Sequence, residues 1–536
     1  MKTMKKFLSM AALALVGAAI SSCSNNGDFD EPQAQPQPAS GSNVVTLTTT
    51  VGLGDGETRA LAADGTKTFA EGDQMAVIYK NTSNETVKAE GTLTNGEGTK
   101  NGTFTVTLTD PDNTKAIRYI YPAAMAKETV ATDATIDDAG TVDYTKLNSQ
   151  DGSLAKLGST YDLCTFDADN WTSGQLPSGS LGNQLAILAL TLKNDAGGSE
   201  ITSSITGLTV SDGTNSYNIT RSAGEGPIYV AIRPTSSATI EVTATAGSTT
   251  YAKALSDKTY AANYGYPLTW RMAEVISGKF TVNNSGKQVY FSKSNLQATT
   301  SDNGTTWTWH FGPNQYARVG NGTANTKING NGTVSNDGNG GNIDLFGWST
   351  STTHLGISSN TNNSAYSGAF VDWGSAKEVT DCIGSGWRTL TSDEWRYVTV
   401  TRSGNRFALA LINNSRGGII LLPDDWNTSY YSLSSINDAT VAFTVNKISD
   451  SDWTSKLEAH GAVFLPVTGQ RNSGTTVNGA DAQLHYWSST GGVNSNNTPI
   501  ANHLRFMPSG DNAGLAPDTG AGRCNGFAVR LVRDVE

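Results

Sequence analysis

The sequence predicts a mainly β, loop-rich protein. Only 16% of its 536 residues are charged, whereas 57 are glycine, and Ser, Thr and Asn are abundant. Short apolar and alternating segments are separated by Gly, Asn and Asp turns, and no helical period of comparable length appears. This pattern is typical of strands joined by tight turns. A chain of this length predicts about three domains.

The charge balance argues against nucleic acid as a partner. The formal net charge is −11 and the isoelectric point is near 5.0. Binding to phosphate backbones requires clustered Lys and Arg, and the sequence contains no such cluster.

The N-terminus predicts export and a lipid anchor. Lys2, Lys5 and Lys6 precede a mostly apolar run over 7–20, which is shorter than the roughly 20 residues needed to cross a bilayer. The following Ser-Ser-Cys23 resembles the lipobox of bacterial lipoproteins. The resemblance implies a signal peptide over 1–22, acylation of Cys23 and anchoring in the outer membrane. The alternative is a cleaved signal followed by an incidental cysteine.

Residues 23–42 predict a disordered tether, because they are acidic and then rich in Pro and Gln. Asp28, Asp30 and Glu31 resemble the acidic signals that direct some lipoproteins to the cell exterior. A merely solvated spacer is the alternative interpretation.

Four motifs between residues 43 and 272 resemble the fimbrillin family. In chain order they are FAEGDQMAV (69–77), IRYIYP (117–122), QLAIL (184–188) and PIYVA (227–231). The resemblance implies two tandem transthyretin-like β-sandwiches, over 43–170 and 171–275.

Arg59 and Ala60 form the candidate site of proteolytic maturation. They follow a strand-like segment and a Gly/Asp-rich loop, where a protease could reach them. The fimbrillin resemblance implies that cleavage after Arg59 removes the first strand and opens a groove for a neighbour's strand. An ordinary exposed loop arginine is the alternative.

The segment 278–536 predicts a separate domain, since it carries most of the 11 tryptophans and long Asn/Gly-rich stretches. Its landmarks resemble C-type-lectin-like domains of bacterial surface proteins, which implies an α+β fold shared with formylglycine-generating enzymes and retroelement variable proteins. They are VYFS (289–292), DLFGW (344–348), GWRTLTSDEW (386–395), VFLP (463–466), YWSS (486–489) and GFAVRLVR (526–533). Thr391 and Glu394 predict a helix start with a capping box.

No metal site is assigned to the histidines, because none of them matches a paired or HExxH spacing. Asp424, Asp425 and Asn427 offer oxygen ligands but lack the Glu-Pro-Asn or Gln-Pro-Asp triplet of calcium-dependent sugar lectins. We expect them to form a turn before Trp426, with calcium-assisted glycan binding as the alternative.

The cysteines permit at most one disulfide after Cys23 is acylated. Cys382 and Cys524 are the best candidates for it. The sequence around Cys524 resembles a nucleophile elbow with Cys in place of Ser. That motif requires a helix after the turn, whereas a strand-like segment follows Cys524. We therefore expect no catalytic role for Cys524.

The long polar segment 491–525 is the predicted ligand surface. Small polar residues between rigid strands supply adaptable hydrogen bonds, and the lectin-like resemblance places its ligand surface before the final strand. The candidate ligand-binding residues are Trp487, Asn502, His503, Arg505 and Phe506. The alternative is a solvated connector.

Taken with both resemblances, the sequence implies a cell-surface fimbrial tip or tip-like adhesin rather than an enzyme. It would assemble with fimbrial subunits by donor-strand exchange and bind a glycan or protein ligand through its C-terminal domain. It would need no cofactor beyond its acyl lipid. The alternatives are a non-polymerising surface lipoprotein with a fimbrillin-like stalk and, less favoured, an enzyme on the formylglycine-generating fold.

Overall fold

The computed structural model describes residues 43–53, 68–320, 325–326, 328, 341–350, 355–472, 476–509 and 513–535. Cys23, Arg59 and Ala60 lie outside these residues, and so do the predicted signal peptide and tether. The chain divides into Met1–Asn43 and Val44–Glu536, and all elements below belong to the second unit.

The N-terminal strands form a closed barrel in the order β1-β4-β3-β2-β5-β7-β8. The ring closes because β1 pairs in antiparallel with β4 and in parallel with β8. It is therefore a single closed sheet where the sequence predicts a two-sheet sandwich. The strands of this part are β1 (Val44–Leu53), β2 (Gln74–Lys80), β3 (Thr86–Asn95), β4 (Asn101–Thr109), β5 (Ile117–Tyr121), β6 (Ser149–Gln150), β7 (Cys164–Ala168) and β8 (Gly179–Asn183).

The apolar run of β2 reflects burial on both of its faces. Met75 and Val77 point into the barrel, where they join Phe104 and other ring residues. Ala76 and Ile78 face outward and pack into the core of the following strands. Because successive side chains of a strand point to opposite faces, a strand buried on both sides needs a continuous apolar sequence.

The middle strands are β9 (Ala186–Asn194), β10 (Gly207–Ser211), β11 (Ser216–Thr220), β12 (Ile228–Ile232), β13 (Thr235–Ala246), β14 (Thr249–Tyr260) and β15 (Gly265–Thr281). In this part β9 pairs in antiparallel with β12 and in parallel with β15. Together they enclose the core that also receives the outer face of the barrel.

The long strand β15 joins the middle and C-terminal parts. Its first half pairs with β9, Ala273–Val275 pair with β14, and its end pairs with β16 (Gln288–Ser292). The boundary predicted between residues 275 and 278 thus falls inside a strand. With β20 (Arg388–Thr389) and β30 (Leu531–Val535), these strands belong to one eleven-stranded sheet that extends through both parts. Its order is β20-β30-β16-β15-β14-β13-β10-β11-β6, with β9 and β12 attached.

The C-terminal part contains several small sheets around this shared one. After β16 its strands are β17 (Leu296–Thr300), β18 (Thr308–Phe311), β19 (Gly341–Ile343), β20 (Arg388–Thr389), β21 (Phe407–Ile412), β22 (Arg416–Leu421), β23 (Lys447–Ile448), β24 (Val463–Pro466), β25 (Gln470–Asn472), β26 (Thr476–Asn478), β27 (Leu484–Val493), β28 (Pro499–Met507), β29 (Gly514–Gly522) and β30 (Leu531–Val535).

The described helices are short. They include α1 (Asp138–Thr141), α2 (Leu154–Lys156), α3 (Lys377–Ile383), α4 (Ser392–Arg396) and α5 (Asp450–Asp452). Further turns of π-helix follow three of these helices at Leu157–Tyr161, Tyr397–Thr401 and Trp453–Leu457. No helix in the described ranges has the length and apolarity to span a membrane.

The mainly β prediction is confirmed, and so is the predicted helix start at Thr391. The Glu394 N–H donates to Thr391 Oγ1 at 3.2 Å, and the Thr391 N–H donates to Glu394 Oε2 at 2.8 Å. These two bonds satisfy backbone donors that would otherwise be unpaired at the start of α4.

Candidate functional site

The segment predicted to be a ligand-binding loop contains β28, β29 and the end of β27, which form a three-stranded sheet. β28 pairs on one side with β27 and on the other with β29, from Ile500 opposite Gly522 to Met507 opposite Gly514. The loop prediction was therefore wrong, because these residues satisfy their backbone groups by strand pairing.

Three of the five predicted ligand-binding residues are core residues. Trp487 is 0% exposed, Phe506 is 1% exposed and His503 is 2% exposed. Asn502 and Arg505 are only half-buried, on the same strand β28. Trp487, His503 and Phe506 therefore offer little accessible surface to a ligand, because their side chains fill the space beneath the sheet.

An aromatic cluster surrounds Trp487. Its indole N–H donates to the Phe346 carbonyl at 2.6 Å, and its ring centroid lies 4.3 Å from that of Phe527. The His503 ring lies 4.4 Å from Phe527, and its Nε2 is 3.2 Å from Nδ1 of His485. Two histidines therefore share a buried, mostly apolar site.

This histidine pair predicts acid sensitivity of the fold. Burial, aided by Arg505, lowers the pKa of His485 from 6.5 to about 4, and burial holds the pKa of His503 well below its ordinary value. For each histidine, the unfolded chain therefore binds more protons than the folded chain at pH values between its folded-state pKa and its ordinary pKa. We expect the free energy of unfolding to decrease as pH falls from 6.5 to about 4, on the order of 3 kcal/mol for His485.

Urea unfolding at a series of pH values checks this expectation. Replacing His503 with leucine should make the slope between pH 6.5 and 4 smaller, because one buried titrating group is removed. Identical slopes in the two proteins would contradict the assignment.

The predicted Cys382–Cys524 disulfide does not form. Cys382 carries a free thiol on α3 and packs at the edge of an apolar cluster. Cys524 lies in the turn after β29, where its N–H donates to Asn363 Oδ1 at 3.1 Å. Each cysteine is thus held by a different part of the C-terminal fold.

A cavity of about 410 Å³ lies beside the end of β15, on the C-terminal part of the chain. Its walls come from β15, the π-helical turn after α4, the loop before β21 and the turn after β22. The lining residues are Thr281, Tyr397, Arg402, Ser403, Gly404, Asn405, Pro423, Asp424 and Trp426. Ligand-binding cavities typically have volumes of about 300–1,000 Å³.

Arg402 and Asp424, which both line this cavity, form an ion pair that holds the fold together. Arg402 is 6% exposed in its side chain, and its Nη1 donates to Asp424 Oδ1 at 2.8 Å. Asp424 Oδ2 accepts from the Thr281 N–H at 2.8 Å, from its hydroxyl at 2.7 Å and from Gln288 Nε2 at 2.8 Å. Both carboxylate oxygens are therefore engaged by protein donors.

This engagement leaves Asp424 poorly suited to the calcium role considered from the sequence. A bound cation would have to displace four donors from its carboxylate. Within the described residues, no group of three His, Cys, Asp or Glu side chains has the geometry to hold a metal ion. Asp424 instead ties the turn after β22 to β15.

Hydrogen bonds on both sides fix the loop that carries Ser403 and Asn405, two of the neutral polar residues that line the cavity. Arg402 Nε donates to the Val398 carbonyl at 3.0 Å, and Arg406 Nε donates to the Thr399 carbonyl at 3.0 Å. Asn437 accepts from the Arg406 N–H at 2.9 Å and donates to the Gly404 carbonyl at 2.9 Å. The loop between these anchors carries Ser403 and Asn405 into the cavity wall.

An aromatic row adjoins the cavity through Trp426. The Trp426 and Tyr430 rings meet edge to face with centroids 5.7 Å apart, and Tyr430 stacks on His460 at 3.9 Å. Tyr430 is 37% exposed, which is unusual among the large apolar side chains of this protein. We call Trp426, Tyr430 and His460 the aromatic row.

The sequence patterns indicated only part of this site. Asp424 and Trp426 were recognised as a turn, but Tyr397, Ser403 and Asn405 were missed. The signal that could have revealed them is the short polar segment TRSGN (401–405) between the capped helix and a strongly apolar strand.

A second candidate site is the position of β1 in the barrel. Val51 and Leu53 fill the barrel interior, whereas Val44 at the start of the strand is exposed. After Leu53 the described chain resumes at Thr68, so the candidate cleavage site lies outside the described residues. β1 is thus the first described strand, and its side chains complete an apolar interior.

No family model matches the chain, and no curated protein matches it. Among solved structures it is similar to a candidate cell adhesion protein from Bacteroides uniformis, at 17% identity over 44% of this chain and 94% of that one, with a TM-score of 0.25. It is also similar to a fimbrial assembly protein from Parabacteroides distasonis, at 8% identity over 47% and 96%, with a TM-score of 0.27. These TM-scores are too low to establish a shared fold.

Proposed function

We propose that the chain is a cell-surface fimbrial subunit of the tip or adhesin type, anchored by lipid at Cys23 before maturation. The single observation that carries this proposal is the construction of the barrel. β1 is the first described strand, lies between β4 and β8, and precedes the candidate cleavage site in the sequence.

Removal of β1 would open a groove that needs another strand. The backbone groups of β4 and β8 would lose their partners, and the space filled by Val51 and Leu53 would be exposed. An extended segment from a neighbouring subunit would pair with the backbone groups of both strands and fill the exposed space with its side chains. In such pairing, main-chain hydrogen bonds give affinity and side-chain pockets give specificity.

Strand β30 is committed to the sheet of the C-terminal part. β30 pairs on one side with β16 and on the other with β20, so both of its edges are occupied. A strand committed in this way to its own sheet does not serve as a donor for a neighbour. The subunit would then receive a strand through its barrel while its C-terminal part faces outward.

The test of this proposal is the Arg59→Ala variant. We expect the uncleaved chain to retain β1 in its barrel, to remain on the cell surface and to be absent from purified fibres. Immunoblotting of sheared fibres and of outer membranes measures the two fractions. The matched Lys115→Ala variant removes an exposed positive charge from the barrel surface and should enter fibres normally.

Normal incorporation of the Arg59→Ala chain would contradict strand exchange at this barrel. A chain that stays lipid-anchored and never enters fibres, whether or not Arg59 is changed, would support the non-polymerising stalk instead.

A further inference from the structure

The cavity beside Trp426 offers neutral hydrogen-bonding groups rather than charge. Tyr397, Ser403 and Asn405 line it, and their side chains make no hydrogen bond with any residue in the described ranges. Among the described lining residues the only cation is Arg402, whose Nε and Nη1 already donate to Val398 and Asp424. A ligand that carries a strong negative charge would therefore find no free partner.

The free groups are also pre-organised. Ser403 and Asn405 lie on a loop that is held by hydrogen bonds. These bonds involve Arg402, Arg406 and Asn437. Binding then requires little ordering of the protein, which is a cost that weakens flexible sites. A fixed set of hydroxyl and amide groups around an open cavity fits a ligand rich in hydroxyl groups.

The aromatic row supplies the apolar half of the site. Tyr430 is exposed and is held between Trp426 and His460, so its ring orientation is fixed. Aromatic faces carry negative partial charge and attract positively polarised C–H groups. A pyranose ring has such a C–H face on one side and hydroxyl groups around its rim.

We infer that the cavity and the aromatic row together bind a neutral sugar residue of a glycan. The hydroxyls and amide of Tyr397, Ser403 and Asn405 contact its hydroxyl groups, and Tyr430, which adjoins the cavity through Trp426, contacts its C–H face. The inference rests on the proposed adhesin function and deepens it by naming the ligand class and the site. It places recognition away from the sheet of β27, β28 and β29.

Saturation-transfer NMR on the purified full-length chain in detergent tests this inference. The probes are galactose, mannose, fucose, N-acetylglucosamine and N-acetylgalactosamine, with N-acetylneuraminic acid as the charged comparison. At least one neutral sugar should receive saturation, and the acidic sugar should receive none, because the described cavity wall has no unengaged cation.

Variants locate the binding. Tyr397→Phe and Asn405→Ala should each weaken binding of the bound sugar about 2- to 12-fold, as expected for one neutral hydrogen bond. Tyr430→Ala should weaken it at least about tenfold through loss of the aromatic contact. The matched Tyr264→Phe variant removes a hydroxyl from an exposed tyrosine in the middle part and should bind normally. Melting temperatures of all four variants should match that of the unaltered chain.

Absence of saturation transfer to every neutral sugar would overturn the inference, as would undiminished binding in all three cavity variants. Binding of the acidic sugar alone would also overturn it. The assay requires no fibre, so a failure of strand exchange would leave these results unchanged and would affect only the assembly part of the proposed function.

Discussion

Replacement of Trp487 with alanine is expected to destabilise the C-terminal part by about 3–5 kcal/mol. Trp487 is completely buried, donates its indole N–H to the Phe346 carbonyl and packs against Phe527 and His503. The substitution removes these contacts, leaves a cavity and deprives the carbonyl of its donor. Urea unfolding followed by tryptophan fluorescence and circular dichroism measures the change.

The half-buried Trp307 provides the matched control for this variant. Trp307→Ala removes the same side chain from the edge of the same apolar cluster, and we expect a clearly smaller loss of stability. If Trp487→Ala left stability unchanged and abolished sugar binding, Trp487 would be a ligand contact after all and its placement in the core would be wrong.

Replacement of Asp424 with alanine is expected to cost about 3 kcal/mol, because it removes the partner of a buried guanidinium. The change leaves Arg402 Nη1, Gln288 Nε2 and both donors of Thr281 without their acceptor. It therefore loosens the attachment between β15 and the turn after β22. Thermal and urea unfolding measure the loss.

The neighbouring Asp425 is exposed and makes the matched control. We expect Asp425→Ala to change stability by no more than about 0.5 kcal/mol. Addition of calcium or of a chelator should not move the melting temperature of the unaltered chain. A calcium-dependent increase that disappears in Asp424→Ala would show that Asp424 is a metal ligand and would contradict the structural role.

Local sequence patterns predicted those parts of the fold that depend on local physics. The alternation in NGTFTVTLT is typical of a strand with one buried face, and it matches β4, in which Phe104, Val106 and Leu108 are buried while most of the threonines face outward. The spacing of Thr391 and Glu394 identified a capped helix start, since both capping bonds lie within one turn.

Long-range pairing was not predictable from such patterns. β29 has the sequence GLAPDTGAG, which has low intrinsic strand preference because of its Gly and Pro content, yet it pairs along β28. The Asn- and Gly-rich composition of that segment therefore indicated a loop. The sequence also did not predict that β15 is one continuous strand. Its two halves pair with different strands, and such pairing depends on distant parts of the chain.

The cavity beside Trp426 illustrates the same limit. Thr281, Tyr397 and Asp424 are far apart in the sequence and meet only because β15, the turn after α4 and the turn after β22 converge. Composition can suggest a polar ligand surface in a loop-rich protein. It cannot specify which segments contribute their side chains to one cavity.

Mass spectrometry of the mature N-terminus in purified fibres tests the assembly proposal most directly. Strand exchange at the barrel predicts that the fibre-incorporated chain begins at Ala60 and lacks β1. Detection of an acylated Cys23 at the N-terminus of the fibre-incorporated chain, with residues 24–59 still attached, would contradict it.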